Sequence, residues 1–257
     1  SKGGTNHPGN NSINVLYQED SGIIWIGTDV GIFRYCPSEE TFSHFDMPVT
    51  NGTFISSVVY TITQDKDQNI WISTYGQGIF RYSSKSYSLV QYKVQDCYNN
   101  LYYLYVDSDN SIWATGNSPS QRGVYKLNRQ TDLFEPFHLL YPPGERCSNA
   151  LTLYEDASHN LWLGTRETGL QKVDKYTGEV TVYLSPASGS GIMHIHSIAG
   201  YMPQTLLVGS DDGLVLFDTV TGKHKRFLPD ETNPFSLSNK FVYPILNDRE
   251  GGLWVGT

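Results

Sequence analysis

Apolar residues in this chain fall in short bursts separated by polar turns, and no stretch keeps the 3.6-residue spacing of a long helix. The first bursts cover residues 13–18, 23–27, 32–35 and 42–45, and read as four short strands. We label them A to D. The A-to-B connections are polar turns such as Asp20-Ser21-Gly22, Asp65-Lys66-Asp67-Gln68-Asn69 and Asp107-Ser108-Asp109-Asn110. Asp and Asn side chains there can bond nearby backbone amides and tolerate positive φ. Each B-to-C connection carries a glycine followed by an apolar residue, at Gly31, Gly78, Gly123, Gly169 and Gly213, which is hairpin chemistry.

The four-burst unit repeats. Its marker is Trp25-Ile26-Gly27-Thr28, Trp71-Ile72-Ser73-Thr74, Trp113-Ala114-Thr115, Trp162-Leu163-Gly164-Thr165, Leu207-Val208-Gly209-Ser210 and Trp254-Val255-Gly256-Thr257. The anchors lie 46, 42, 49, 45 and 47 residues apart, close to the roughly 40–50 residues of a four-stranded propeller blade. A lone four-stranded antiparallel sheet cannot bury both faces, whereas radially arranged sheets cover one another. The predicted fold is therefore all-β, a β-propeller of four-stranded antiparallel blades. Residues 1–12 form a polar opening segment and 13–257 the repeats, about 5.5 of them. The sequence stops in mid-blade, so part of a larger six- or seven-bladed ring is expected. An indole buried between blades contributes on the order of 4–6 kcal/mol as an upper estimate. Leu207 should fill its boundary less tightly.

Composition agrees with strands and turns: 18 Tyr, 11 Phe and 5 Trp suit a pleated surface, and 24 Gly suit tight turns. The net charge of -8 disfavours non-specific contact with nucleic acid or anionic membrane. No run of about 18 apolar residues occurs, and Ser1-Lys2-Gly3-Gly4 lacks the apolar core of a signal peptide, so the chain as it stands is expected to be soluble. Cys36, Cys97 and Cys147 lack metal spacing and read as packed or free thiols.

Asp248-Arg249-Glu250-Gly251-Gly252-Leu253-Trp254-Val255-Gly256-Thr257, preceded by Ser236-Leu237-Ser238-Asn239, resembles the two-component regulator propeller repeat. So does Glu155-Asp156 leading into Asn160-Leu161-Trp162-Leu163-Gly164-Thr165, then Gly169-Leu170 and Asp174-Lys175-Tyr176-Thr177-Gly178. The resemblance spans nearly the whole chain. Two repeats depart from it: the fifth has Gly200-Tyr201-Met202-Pro203-Gln204 where the acidic turn belongs, and the third replaces a short turn with Gly116-Asn117-Ser118-Pro119-Ser120-Gln121-Arg122-Gly123. The resemblance implies a periplasmic sensor within an inner-membrane-anchored receptor homodimer, next to further propeller or sensor domains and signalling to a histidine kinase. In the hybrid regulators of Bacteroidetes it is most similar to, the ligands are typically oligosaccharides and the output is control of glycan-utilisation genes. Direct contact of this region with nucleic acid is not expected.

Propellers usually bind on the face built from B-to-C and D-to-A loops. The candidates there are Asp29, Tyr75, Gln77, Asn117, Arg122, Arg166, Glu167, Asp211 and Asp212, a mixture of donors, acceptors and an aromatic face that suits a sugar. The long D-to-A connections 139–149, with Tyr141 and Arg146, and 184–194 are candidates to cap that face. His194-Ile195-His196 places two imidazoles on one side of a strand. A metal would need a third ligand that the sequence does not supply, so a polar-face pair is the better reading. The runs starting at Asp65 and Asp107 fit Asx turns better than calcium loops, whose twelfth position holds Gly76 or Ser118 instead of Glu. No catalytic motif is present: there is no Gly-x-Ser-x-Gly, no Gly-Lys-Ser/Thr loop and no His-Glu-x-x-His. Asp211-Asp212 and Glu39-Glu40 are adjacent carboxylates that point to opposite sides of a strand. We expect no enzyme activity, no cofactor and no metal. The alternatives are a protein-interaction or structural propeller and, behind it, a glycan lyase or hydrolase.

Overall fold

A computed structural model describes residues 12–257 except 50, 51, 95, 96, 98, 119–122, 147, 187, 188 and 249. Candidate Arg122, Cys147 and all but the last residue of the opening segment lie outside the described residues.

Every regular element among them is a strand. The first sheet holds β1 (Ile13–Gln18), β2 (Ile24–Thr28), β3 (Gly31–Cys36) and β4 (Thr41–His44). The second holds β5 (Val59–Gln64), β6 (Asn69–Thr74), β7 (Gly78–Ser83) and β8 (Ser88–Tyr92). The third is β9 (Leu101–Val106), β10 (Ile112–Gly116), β11 (Val124–Asn128) and β12 (Leu133–Pro136). The fourth is β13 (Ala150–Glu155), β14 (Leu161–Thr165), β15 (Leu170–Val173) and β16 (Val180–Tyr183). The fifth is β17 (Ile195–Met202), β18 (Thr205–Ser210), β19 (Gly213–Asp218) and β20 (His224–Phe227), and the sixth has two strands, β21 (Ile245–Asn247) and β22 (Leu253–Val255). Strands follow one another in sequence order within each sheet and pair antiparallel, which is the A-B-C-D meander of a propeller blade. The sequence-predicted bounds of the first blade hold to within one residue. The chain divides into two compact units, one of residues 1–117 with 125–136, the other of residues 118–124 with 137–257.

In the first unit, Trp25 packs on Phe45 at 5.0 Å between ring centroids and on Tyr82 of the next blade at 5.5 Å. Trp71 likewise meets Tyr92 and, one blade on, Phe134. In the second unit, Trp162 meets Tyr183 and, one blade on, Phe217 at 5.6 and 5.5 Å. The buried indoles fill the seams between blades, as the repeat predicts. Leu207 shares a smaller cluster with Leu214 and Val242. Trp254 departs from the pattern at 65% exposed: among the described residues its strand β22 pairs only with β21.

The glycine of the marker has a steric reason at Gly27 and Gly164. A Cβ on Gly27 would meet Val15 and the next blade's Val59, and one on Gly164 would meet Thr152 and Ile195. The backbone there lies against two A strands at once.

Candidate functional site

The marker's last residue builds the loop face. The buried hydroxyl of Thr28 donates to the carbonyl of Gly31 at 3.0 Å, and Thr74, Thr165 and Ser210 do the same to Gly78, Gly169 and Gly213 at 2.8, 2.8 and 2.9 Å. Each bond closes the B-to-C hairpin. Only the short turns between, 29–30, 75–77, 166–168 and 211–212, are left to face outward.

A second device lies beside each turn. Strand A carries a one-residue register shift against strand B at Ile13/Val15, Val59/Thr61, Ala150/Thr152 and Ile195/Ser197, and β9 shifts likewise opposite Thr115/Gly116. The extra residues are Asn14, Tyr60, Leu151, His196 and Tyr102. A bulge frees its residue from the ladder and re-aims its side chain. Tyr243 holds the same place in the sixth repeat: it follows Val242, which lies against Gly209 as Ile195 lies against Gly164.

In the first unit, the bulge residues Tyr60 and Tyr102 meet edge to face with ring centroids 5.9 Å apart. Burial pushes the Tyr60 phenol up, and Tyr102, Tyr75 and Asp29 around it push the same way. Predicted residues Tyr75 and Asp29 therefore share one locality with two tyrosines that the turn-based reading missed. Asn14 donates to the Asp29 carboxylate at 2.9 Å, and Tyr75 is half-exposed. Gln77 is occupied differently: its amide donates to the Phe54 carbonyl at 2.9 Å and accepts from Ser56 N at 3.0 Å, which fastens the preceding D-to-A loop. The Asn117 backbone bonds the Asn100 carbonyl.

In the second unit, Asp211 lies between two imidazoles. Its carboxylate takes His196 Nε2 at 2.7 Å on one oxygen and His194 Nδ1 at 3.1 Å on the other. The histidine rings are nearly parallel, and the bulge residue His196 rests against Tyr243 at 4.6 Å between centroids. Asp212 pairs with Lys240 at 3.7 Å. The Arg166 carbonyl accepts from His194 N, placing Arg166 and its exposed neighbour Glu167 next to the cluster. The two histidines form the polar-face pair expected from the sequence, bound to a carboxylate. Among the described residues no group of three His, Cys, Asp or Glu is arranged to hold a metal ion.

The first long connection is tied to the fourth blade, and the second bonds to itself. Leu140 bridges to Glu179, Tyr141 Oη donates to the buried Gln171 at 2.7 Å, and Gln171 donates to the Arg146 carbonyl. Ser190 bonds back to the Ser185 carbonyl. At the opposite end of the blades, Asp65 and Asp107 accept from the amides two and four residues on, as Asx turns do.

The bulge clusters offer aromatic faces, two imidazoles, carboxylates and a phenol at half-exposed positions. This is hydrogen-bonding and stacking equipment.

Residues 7–30, 53–76 and 236–257 match the family model for the two component regulator propeller. The chain is 25% identical over 209 residues to histidine kinase P4 of Formosa agariphila, a match that covers 77% of this chain and 15% of that protein. Among solved structures it is similar to the extracellular domain of BT4673 from B. thetaiotaomicron, described as a hybrid two component system. That match has a TM-score of 0.80 and 24% identity over 98% of this chain and 32% of that one. It also resembles virginiamycin B lyase from Staphylococcus aureus, with a TM-score of 0.70, 15% identity, and coverage of 95% of this chain and 77% of that one. The chain thus spans a small part of the kinase and about a third of the extracellular domain. Likeness to a regulator and to a lyase alike, at these identities, shows the propeller fold and leaves function to the site.

Proposed function

We propose that this chain, three segments of which match the two component regulator propeller, is the extracytoplasmic ligand-sensing part of a hybrid two-component regulator whose ligand is an oligosaccharide. The observation that carries this reading is the bulge series. In four of the five blades with a bulge, the residue that strand A releases beside the B-to-C turn is one that can stack on or hydrogen-bond to a polyol, namely Asn14, Tyr60, Tyr102 and His196, with Leu151 the aliphatic exception. Tyr243 holds the matching position in the sixth repeat. Core packing alone gives no reason for tyrosine, histidine or asparagine there. A sugar presents apolar C–H faces and a ring of hydroxyls, which aromatic planes and paired donor–acceptor groups match.

The proposed receptor is a periplasmic, inner-membrane-anchored homodimer in which this region touches neighbouring sensor domains and passes occupancy to a histidine kinase that controls glycan-utilisation genes. Binding there shifts the population between two receptor arrangements, so the propeller itself needs no turnover. Titration calorimetry with neutral and acidic oligosaccharides tests this. One glycan class should give saturable heat, and the sugar should be recovered unaltered. His196→Ala and Tyr60→Ala should show which cluster is responsible, one of them weakening binding at least tenfold. Heats no larger than dilution across the panel would remove the carbohydrate reading, and unsaturated or shortened products would replace it with a lyase or hydrolase.

A further inference from the structure

Two arginines of the first unit lie over tryptophans in the same way, and what differs is the carboxylate beside them. In the ladder between strands B and C, Arg34 stands opposite Trp25 and Arg81 opposite Trp71. The Arg34 guanidinium carbon lies 5.6 Å from the Trp25 centroid and 5.4 Å from that of Phe45, and the Arg81 carbon lies 5.6 Å from Trp71 and 5.5 Å from Tyr92. The rings hold each cation by its face and leave its N–H donors to find acceptors elsewhere.

At Arg81 the acceptor is built in. Asp132, in the C-to-D turn of the third blade, lies 3.5 Å from Arg81 Nη1 and accepts the Tyr92 hydroxyl at 3.0 Å. The corresponding residue of the second blade is Tyr87: each of the two stands immediately before strand D, with φ of 52° at Asp132 and 49° at Tyr87. Tyr87 is exposed and brings no charge, and Phe45, which takes the place of Tyr92 on the indole, brings no hydroxyl. Among the described residues no acceptor meets the buried Nε of Arg34, and no carboxylate pairs with its guanidinium. A desolvated donor left in this way is costly, and an incoming acceptor relieves it.

There is room for one. A cavity of about 260 Å³ is lined by Arg34, His44, Asp46, Met47, Pro48 and Tyr87. Asp46 is engaged with His44 Nδ1. The volume lies just under the roughly 300–1,000 Å³ of small-molecule sites, which limits the occupant to about one ring. We propose that this cavity binds a carboxylate carried on a single ring, whether of an acidic sugar or of an aromatic acid. The carboxylate takes the place that Asp132 fills beside Arg81, accepting from the Arg34 guanidinium, and the ring lies against Met47, Pro48 and Tyr87. The fork of an arginine matches the two oxygens of a carboxylate, which selects for the acid over its neutral analogue. No bulge residue takes part, so the inference stands apart from the sensing reading.

The arginine Nε–H resonances of the intact chain test this, with the Arg34 and Arg81 signals identified by their loss in Arg34→Lys and Arg81→Lys. Sodium glucuronate or sodium benzoate should shift the Arg34 signal saturably, and which of them does so distinguishes the sugar acid from the aromatic one. Glucose, benzyl alcohol and sodium chloride at matched ionic strength should leave it in place. The Arg81 signal, already paired with Asp132, should not respond to any of them. Tyr87→Asp should supply the missing carboxylate from within, shifting the Arg34 signal without any acid present and weakening the acid at least about tenfold. That change replaces an exposed side chain at a φ that Asp132 already adopts, so the fold is retained. An Arg34 signal unmoved by both acids at tens of millimolar, or moved equally by the neutral analogues, would overturn the proposal, and so would undiminished binding in Tyr87→Asp.

Discussion

Six positions before the anchor, an acidic side chain receives the indole N–H in five of the six repeats. The distances are 3.2 Å for Glu19 and Trp25, 2.8 Å for Asp65 and Trp71, 2.9 Å for Asp107 and Trp113, and 2.7 Å for both Asp156 with Trp162 and Asp248 with Trp254. The same carboxylates close the A-to-B turns, so turn and anchor are one device. The fifth repeat's two departures then become a single event: with Leu207 in place of Trp there is no N–H to receive, and the acidic turn is replaced by Pro203-Gln204 with Gln204 at φ 64°. Environment sets the worth of each indole. Trp71→Phe strips a nearly buried Asp65 of a donor and thins a packed seam, which should cost about 2–4 kcal/mol in urea denaturation. Trp254→Phe removes the same atoms from an exposed site and should leave the urea midpoint where it was. Equal losses at the two positions would mean that the seam contributes little.

At the scale of elements, the C-to-D turns of the second unit repeat one construction. Asp174 accepts from the amides of Tyr176 and Thr177, both at 2.8 Å, and Asp218 from those of Val220 and Thr221 at 2.9 and 2.7 Å. The bonds from Thr177 N and Thr221 N come first in holding these carboxyls below the usual carboxylate range. A depressed folded-state value contributes stability above the unfolded value and loses it as the pH falls through the folded one. Asp218→Ala should therefore lower Tm at neutral pH, and the difference should vanish as the pH drops below the carboxylate range. A difference that persisted there would point to lost packing instead. These turns, the strands and the hairpin glycines were legible in the sequence because they are local. The bulges were not, since one extra residue on a six-residue strand hardly disturbs its alternation. Their signature was still present, in Val59-Tyr60, Leu101-Tyr102 and Ile195-His196, and repeats aligned on strand A instead of on the tryptophan would have exposed it. The turn-based reading found Asp29, Tyr75, Arg166 and Asp211 near the clusters, whereas what Gln77 holds in place depends on distant Phe54 and Ser56, which no local pattern could supply.

For the whole molecule, the repeat period gave the architecture because each blade's seam uses the same aromatic contacts, and those contacts have a consequence that spans both units. Phenols end up against apolar seams at Tyr17, Tyr82 and Tyr92 in the first unit and at Tyr154 in the second, and Tyr60 is half-buried beside Tyr102. Burial, the largest cause in each case, pushes all five above the ordinary phenol value. At Tyr92 the hydrogen bond donated to Asp132 at 3.0 Å acts in the same direction, while Arg81 opposes it. The unfolded chain releases these protons at pH about 10, whereas the folded chain keeps them to higher pH. Their contribution to stability is thus complete below pH about 10 and is lost as the pH rises through the folded values. Ultraviolet difference titration should show the exposed share of the 18 tyrosines ionising near the ordinary value. A second group should ionise later, together with loss of the strand signal in circular dichroism. Tyr92→Phe should retain the fold and remove part of the late step. A single transition at the ordinary value, with the fold intact, would show that water reaches the seams and that these contacts are looser than their geometry indicates.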